Sequence, residues 1–208
     1  MGGPASRKSE SRAPGRPRSE RARTAILIAT NELLDSRGLA ALSVDVIATR
    51  AGVSKATIYR WWPTKAAVVM DAFLAHTSPR MPFPDTGSTR EDLRRQIKSV
   101  IQLFNQAGTG RSLVALIAES QHDPVLAQAF RERFIAARRE AAREVLVRGR
   151  ERGELRPDLD VDIAIDALYG PLYYRLLVSG DPLRQRYPDQ LLDQLYPALA
   201  AVDQPDAR

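Results

Sequence analysis

Residues 43–65 read Ser43-Val-Asp-Val46-Ile47-Ala48-Thr-Arg-Ala51-Gly52-Val53-Ser54-Lys55-Ala56-Thr57-Ile58-Tyr59-Arg60-Trp61-Trp62-Pro63-Thr64-Lys65. Val46, Ile47 and Ala51 recur at helical spacing and predict a short helix that turns them inward, with Ser43 as its N-cap. Gly52 permits a tight turn, Val53 plugs the corner, and Ser54 caps a second short helix. This is the pattern of a helix-turn-helix, in which the second helix lies in the DNA major groove with its N-terminal residues at base edges. A plain corner between two helices of a bundle is the competing reading.

Charge weighs between the two. The chain of 208 residues carries a formal net charge of +6. Residues 1–76 hold twelve Lys and Arg against six Asp and Glu, whereas residues 77–208 hold nineteen of each, so all of the excess lies in the first third. Such asymmetry is expected of a polyanion-binding module joined to a neutral body, with a membrane surface open on charge alone. No apolar run reaches the ~20 residues of a membrane span. The first residues are polar and basic without an apolar stretch behind them, so no secretory signal is expected. The absence of cysteine excludes disulfides, thiolate metal sites and cysteine nucleophiles, and fits a reducing, cytoplasmic setting.

Working outward, apolar residues keep helical spacing and no sustained strand alternation appears, so the fold class is all-α. A first helix is predicted from about Glu20 to Arg37, closed by Gly38, and a fourth from the Thr64 cap to about His76. Prolines crowd at Pro79, Pro82 and Pro84 and mark a linker. Beyond it, helices are expected near Thr89–Gln106 and Arg111–Gln121, split by Gly108-Thr109-Gly110. A long amphipathic helix follows Asp123-Pro124 to near Gly153, with Leu126, Phe130, Phe134, Ala137, Ala141 and Val145 along one face. Another starts around Asp158–Asp162 and stops near Gly180, and a last one spans about Asp189–Ala201. The domains expected are a disordered basic arm over 1–19, a three-helix helix-turn-helix DNA-binding domain over 20–76, and a helical ligand-binding and dimerisation domain over 77–208.

Ile47-Ala48, Ala51-Gly52-Val53-Ser54, Thr57-Ile58-Tyr59 and Lys65 resemble the signature of the tetracycline-repressor (TetR/AcrR) family of bacterial transcriptional regulators, over about Thr24 to Phe73. Trp62 stands where the family usually has Phe, and Ser43 where it has Thr. The second half resembles one ligand-binding branch of the family more loosely, through Leu116-Ile117-Ala118-Glu119, Asp123-Pro124 and the run Leu168 to Leu177. The resemblance implies that Lys55, Ala56, Thr57, Tyr59 and Trp61 reach the groove, with Ser54 and Arg60 beside them, and that Ser43, Tyr59 and Lys65 contact phosphate. Chemically, Lys55 can donate to guanine and the Thr57 methyl can meet a thymine methyl, while Tyr59 and Lys65 suit phosphate oxygens. A solvated helix face is the alternative for each. Ahead of the first helix, Gly15-Arg16-Pro17 resembles an AT-hook core that lays Arg16 along a minor groove; a basic tail with non-specific phosphate affinity is the equal alternative.

The function expected is a DNA-binding regulator, a repressor released from double-stranded operator DNA by an unidentified small apolar or amphipathic effector. A constitutive or architectural DNA-binding dimer is the alternative. An enzyme is disfavoured: His76 and His122 lie far apart, and Gly108-Thr109-Gly110 lacks the rest of a phosphate loop, so no cofactor and no metal is expected. Candidate pocket residues are Ile97, Ile101, Phe104, Leu116, Phe130 and Phe134, with Leu113 beside them and Tyr169 and Tyr173 adding hydroxyls; plain core is the alternative for any one of them. Glu119 is the candidate polar anchor if it faces inward, because an unpaired carboxylate is costly to bury. Leucine stripes at 168, 172 and 176 and at 191, 192, 195 and 199 are expected to form a two-fold four-helix dimer interface, with interior core as the alternative.

Overall fold

The computed structural model describes residues 16–201, with side chains from Ser19 onward. Within that span the protein is helical: α1 (Arg16–Arg37), α2 (Val44–Ala51), α3 (Lys55–Trp61), α4 (Lys65–Thr77), α5 (Thr89–Phe104), α6 (Ala107–Ser120), α7 (Pro124–Phe130), α8 (Ala136–Glu151), α9 (Val161–Tyr174) and α10 (Tyr187–Leu199). No strand ladder occurs among the described residues; an isolated bridge between Leu155 and Ala200 ties the end of α10 to the turn before α9. Residues 1–15 of the basic arm and the Arg16 side chain lie outside the described residues. α1 opens at Arg16, four residues ahead of expectation, with Pro17 in its first turn, where a missing N–H is no loss. It closes at Gly38, whose φ of 77° is a left-handed conformation glycine adopts without strain.

Two expectations fail for a physical reason. Gly108 and Gly110 do not separate two helices but lie inside α6. Both serve close approach, since a Cβ at Gly110 would collide with the Phe104 carbonyl and one at Gly108 with the Asp35 side chain. The leucine stripes expected at a dimer interface fill the interior instead: Leu168, Leu172, Leu191, Leu192 and Leu199 are buried, and Leu176 and Leu195 pack partly buried against them. α9 and α10 meet α5 and α8 through these residues, so a single chain covers both stripes.

α7 and α8 form one rod interrupted by a π-helical turn at Arg131–Ile135. The extra residue in that turn shifts which of the next residues face inward. Ala137, expected on the inner face, is exposed and Arg138 and Ala142 face inward, while Val145 is buried as expected. A second π-helical stretch, Arg175–Ser179, extends α9 beyond Pro171 and ends at left-handed Gly180.

The N-terminal helices rest on the body through packed and polar contacts. Phe73 of α4 packs on Phe134 with ring centroids 5.4 Å apart. The Asp35 carboxylate of α1 accepts from the Ser112 hydroxyl at 2.8 Å. His76 Nε2 lies 2.6 Å from an Arg80 guanidinium nitrogen and 3.2 Å from the Thr109 hydroxyl. Arginine can only donate, so the ring is neutral and its proton sits on Nδ1. Burial, and then the Arg80 charge, hold the His76 pKa below the ordinary imidazole value, with Asp35 opposing. The unfolded chain therefore takes up this proton first as pH falls. Stability should decline below about pH 6.5, where a free imidazole titrates, and level off once the folded-state ring is protonated as well. Denaturant midpoints taken across this window should fall less steeply in His76→Gln than in the unmodified protein. Equal slopes would contradict the assignment.

Candidate functional site

α2 and α3 take their positions from local chemistry. The Ser43 hydroxyl accepts from the Val46 N–H at 3.2 Å and the Ser54 hydroxyl from the Thr57 N–H at 3.2 Å. Between them Gly52 turns the chain at φ 66°, and its N–H goes back to α2. Ile47 and Ile58 are wholly buried and pin the two helices on α1. Ser43 thereby uses an oxygen lone pair and keeps its O–H to donate, which is compatible with a phosphate contact, while the Ser54 hydroxyl also lies 3.0 Å from the Thr57 hydroxyl.

Seen from this anchor, Lys55, Ala56, Tyr59 and Arg60 lie exposed on the outer face of α3, and Thr57 is half-buried at its rim. Lys65 is exposed at the first turn of α4, just after the Thr64 cap. Lys55 Nζ is 2.5 Å from Asp45 Oδ1, an exposed pair that costs little to exchange for a base edge. Trp61 differs from expectation. Its indole N–H, the one polar atom it could offer a base, is buried and without a hydrogen-bond partner among the described residues. The ring packs against the core and against Arg60, whose guanidinium sits 6.0 Å from the ring centroid.

Trp62, at the C-cap of α3, is buried, and its Nε1–H donates to Asp71 Oδ2 of α4 at 2.7 Å. Asp71 Oδ1 accepts from Arg133 in the π turn, and Arg23 of α1 stands 3.7 Å from Oδ2. A single carboxylate on α4 thus joins the end of α3, the first helix and the body.

The body holds a cavity of about 310 Å³ between α5, the π turn, α8 and α9, with the linker residues Met81 and Phe83 against it. Of the residues singled out by sequence, Phe104, Phe134, Tyr169 and Tyr173 line it. Phe130 stacks behind Phe134 at 5.3 Å, and Ile97, Ile101, Leu113 and Leu116 are solid core. Glu119 is exposed on the outer side of α6, so it supplies no polar anchor. The cavity that these aromatics line opens on the side of α5 that faces α8 and α9, away from Glu119.

The polar lining is Gln96, Arg138 and the two tyrosines, with Arg139 and Asp166 also contributing. The Tyr169 hydroxyl donates to Gln96 Oε1 at 2.6 Å. Burial raises both phenols, Tyr173 to about 12 and Tyr169 further, so both stay neutral donors. Sequence analysis missed both Gln96, a polar residue inside the apolar stripe of α5, and Arg138, which its periodicity left off the inner face.

Residues 26–72 match the family described as bacterial regulatory proteins, tetR family, and residues 83–195 match the tetracyclin repressor-like C-terminal domain. The chain belongs to the TetR family of transcriptional regulators. It is 43% identical over 188 residues to the uncharacterized HTH-type transcriptional regulator YdeS of Bacillus subtilis, covering 90% of this chain and 94% of that protein. The DNA-binding transcriptional repressor TetR of Mycobacteroides abscessus is 30% identical over 192 residues, covering 92% and 98%. Among solved structures, the TetR family transcription regulator SCO0332 superposes with a TM-score of 0.75 at 37% identity, over 86% of this chain and 98% of that one. TetR-family regulators bind operator DNA and dimerise, and this chain is accordingly a DNA-binding transcriptional regulator. No helix among the described residues is long and apolar enough to cross a membrane.

Proposed function

We propose that the chain is a repressor, released from its operator by a small apolar or amphipathic molecule bound in the cavity between α5, α8 and α9. One observation carries this: Phe134 is at once a wall of that cavity and the residue on which Phe73 of α4 rests. Its neighbour Arg133 holds Asp71, and through it Trp62 at the end of α3. A ligand that moves the π turn acts on α4 and α3 through packed groups rather than over a distance. The relative named a repressor adds support.

On the DNA side, Lys55 and Thr57 read bases, while Ser43, Tyr59 and Lys65 fix the register on phosphates. Ser54 sets the start of α3, Ala56 lets it approach closely, and Arg60 and Trp61 border the contact; Arg16 and the arm add minor-groove or phosphate affinity. The dimer face is the outer side of α9 and its π extension, where Ile163, Tyr174, Leu177 and Val178 are exposed. No chemical step is involved.

A ligand releases DNA only by preferring the DNA-free geometry, and a hundredfold loss of operator affinity requires ~2.7 kcal/mol of coupling. Compounds found by their ability to raise the melting temperature should therefore also weaken operator binding, measured by anisotropy with and without compound. Stabilising compounds that leave operator affinity unchanged would instead mark a constitutive DNA-binding dimer.

A further inference from the structure

We infer that the cavity takes an apolar organic anion, a hydrophobic body carrying one carboxylate, with the Arg138 guanidinium as its counter-charge; this rests on the effector reading of the same cavity. Met81, Phe83, Val100, Phe104, Phe134 and Ile165 make most of the wall apolar. Into it α8 brings Arg138, the residue turned inward by the extra residue of the π turn. Arg138 has no carboxylate within ion-pairing distance among the described residues, whereas its neighbour Arg139, also at the cavity, is engaged by Asp162 at 2.9 Å and by Asp166. Asp166, the one acid of the lining, is thus neutralised at the rim, and Arg138 is left as the uncompensated charge.

The guanidinium is not without contacts. One nitrogen donates to the Met81 carbonyl at 2.7 Å, and the group lies 4.5 Å from the Phe83 ring centroid. These fix its position against the linker but use one of five donors, and neither supplies a negative charge. Burial lowers the Arg138 pKa, the direction expected of a cation lacking a nearby anion. An arginine held in this way offers a planar pair of donors to a carboxylate, and the Tyr173 hydroxyl and the Gln96 amide N–H₂ are further donors beside it. A cationic ligand would meet a like charge, and an uncharged one would leave the guanidinium without a counter-charge.

The test uses the full chain and titration calorimetry with naphthoate, indole-acetate and decanoate, each beside its own primary amide, which has nearly the same shape and no charge. At least one acid should bind about tenfold or more tightly than its amide, as a charge-assisted pair replaces a neutral contact. In Arg138→Gln that preference should vanish while amide binding persists, and Arg138→Lys, which keeps the charge and loses the fork, should restore part of it. A purely structural clamp on the linker would lower stability in both variants without altering the ratio of acid to amide, and that result overturns the inference. Amides binding as well as acids to the unmodified protein also overturns it, and leaves the effector cavity standing. Binding by none of the six overturns both. The acid–amide comparison on the unmodified chain decides the matter even if the variants fail to fold.

Discussion

Trp62→Ala is expected to destabilise the protein by about 3–5 kcal/mol, the range for deleting a buried large aromatic side chain. Trp62 is 3% exposed, packs into the cluster that joins α1, α3 and α4, and closes α3 at its C-cap. Trp62→Phe separates its two contributions: most of the apolar contact survives, but the Nε1–H donated to Asp71 is lost, at about 1.5–3 kcal/mol for a hydrogen bond to a charged group. The neighbouring substitution Trp61→Phe should have the opposite sign or none. It removes a buried N–H that has no partner, which offsets the smaller ring contact that is given up. Denaturant unfolding of the two phenylalanine variants checks both statements. Equal losses in the two would show that the link from Trp62 to Asp71 contributes nothing particular to stability.

Placing glutamates at Ile163 and Val178 together should convert the dimer to monomers at micromolar concentration and weaken operator binding by about a hundredfold or more, because two half-sites engaged at once gain from their effective concentration. Ile163 is 67% and Val178 70% exposed in the single chain, and Tyr174 and Leu177 beside them on α9 and its extension are exposed as well, a group of large apolar side chains that suits a partner. Both sit on the outer side of α9 and its extension, while Leu168 and Leu172 on the opposite side hold the interior. The charges therefore fall on the face proposed for the partner and spare the core. Sedimentation gives the oligomeric state directly. A double variant that stays dimeric places the interface elsewhere.

The helix-turn-helix was legible because each of its parts is encoded within a few residues: Ser43, Ser54 and Thr64 cap, Gly52 turns, and Ile47 and Ile58 alternate with exposed neighbours. The cavity was legible only in part. Phe104, Phe134, Tyr169 and Tyr173 stood out as aromatics at helical spacing, but uniform periodicity put Ala137 where Arg138 belongs, since a π turn leaves no composition signal of its own. Gly108 and Gly110 looked like a break because glycine weakens a helix, whereas here the neighbours Asp35 and Phe104 require the missing Cβ. The leucine stripes on α9 and α10 are equally good as interface or as core, and only the packing of α5 and α8 against them decides.

Selection of bound sequences from a random duplex library, run side by side for the unmodified protein and Lys55→Ala, tests the DNA-binding account most directly. The unmodified protein should enrich two inverted half-sites, and the variant should relax preference at the base pairs Lys55 meets in each half, by about 1–3 kcal/mol of discrimination, while the half-site spacing stays the same. Enrichment of an identical motif by both proteins, or of no motif by the unmodified one, would contradict the assignment of α3 as the reading helix.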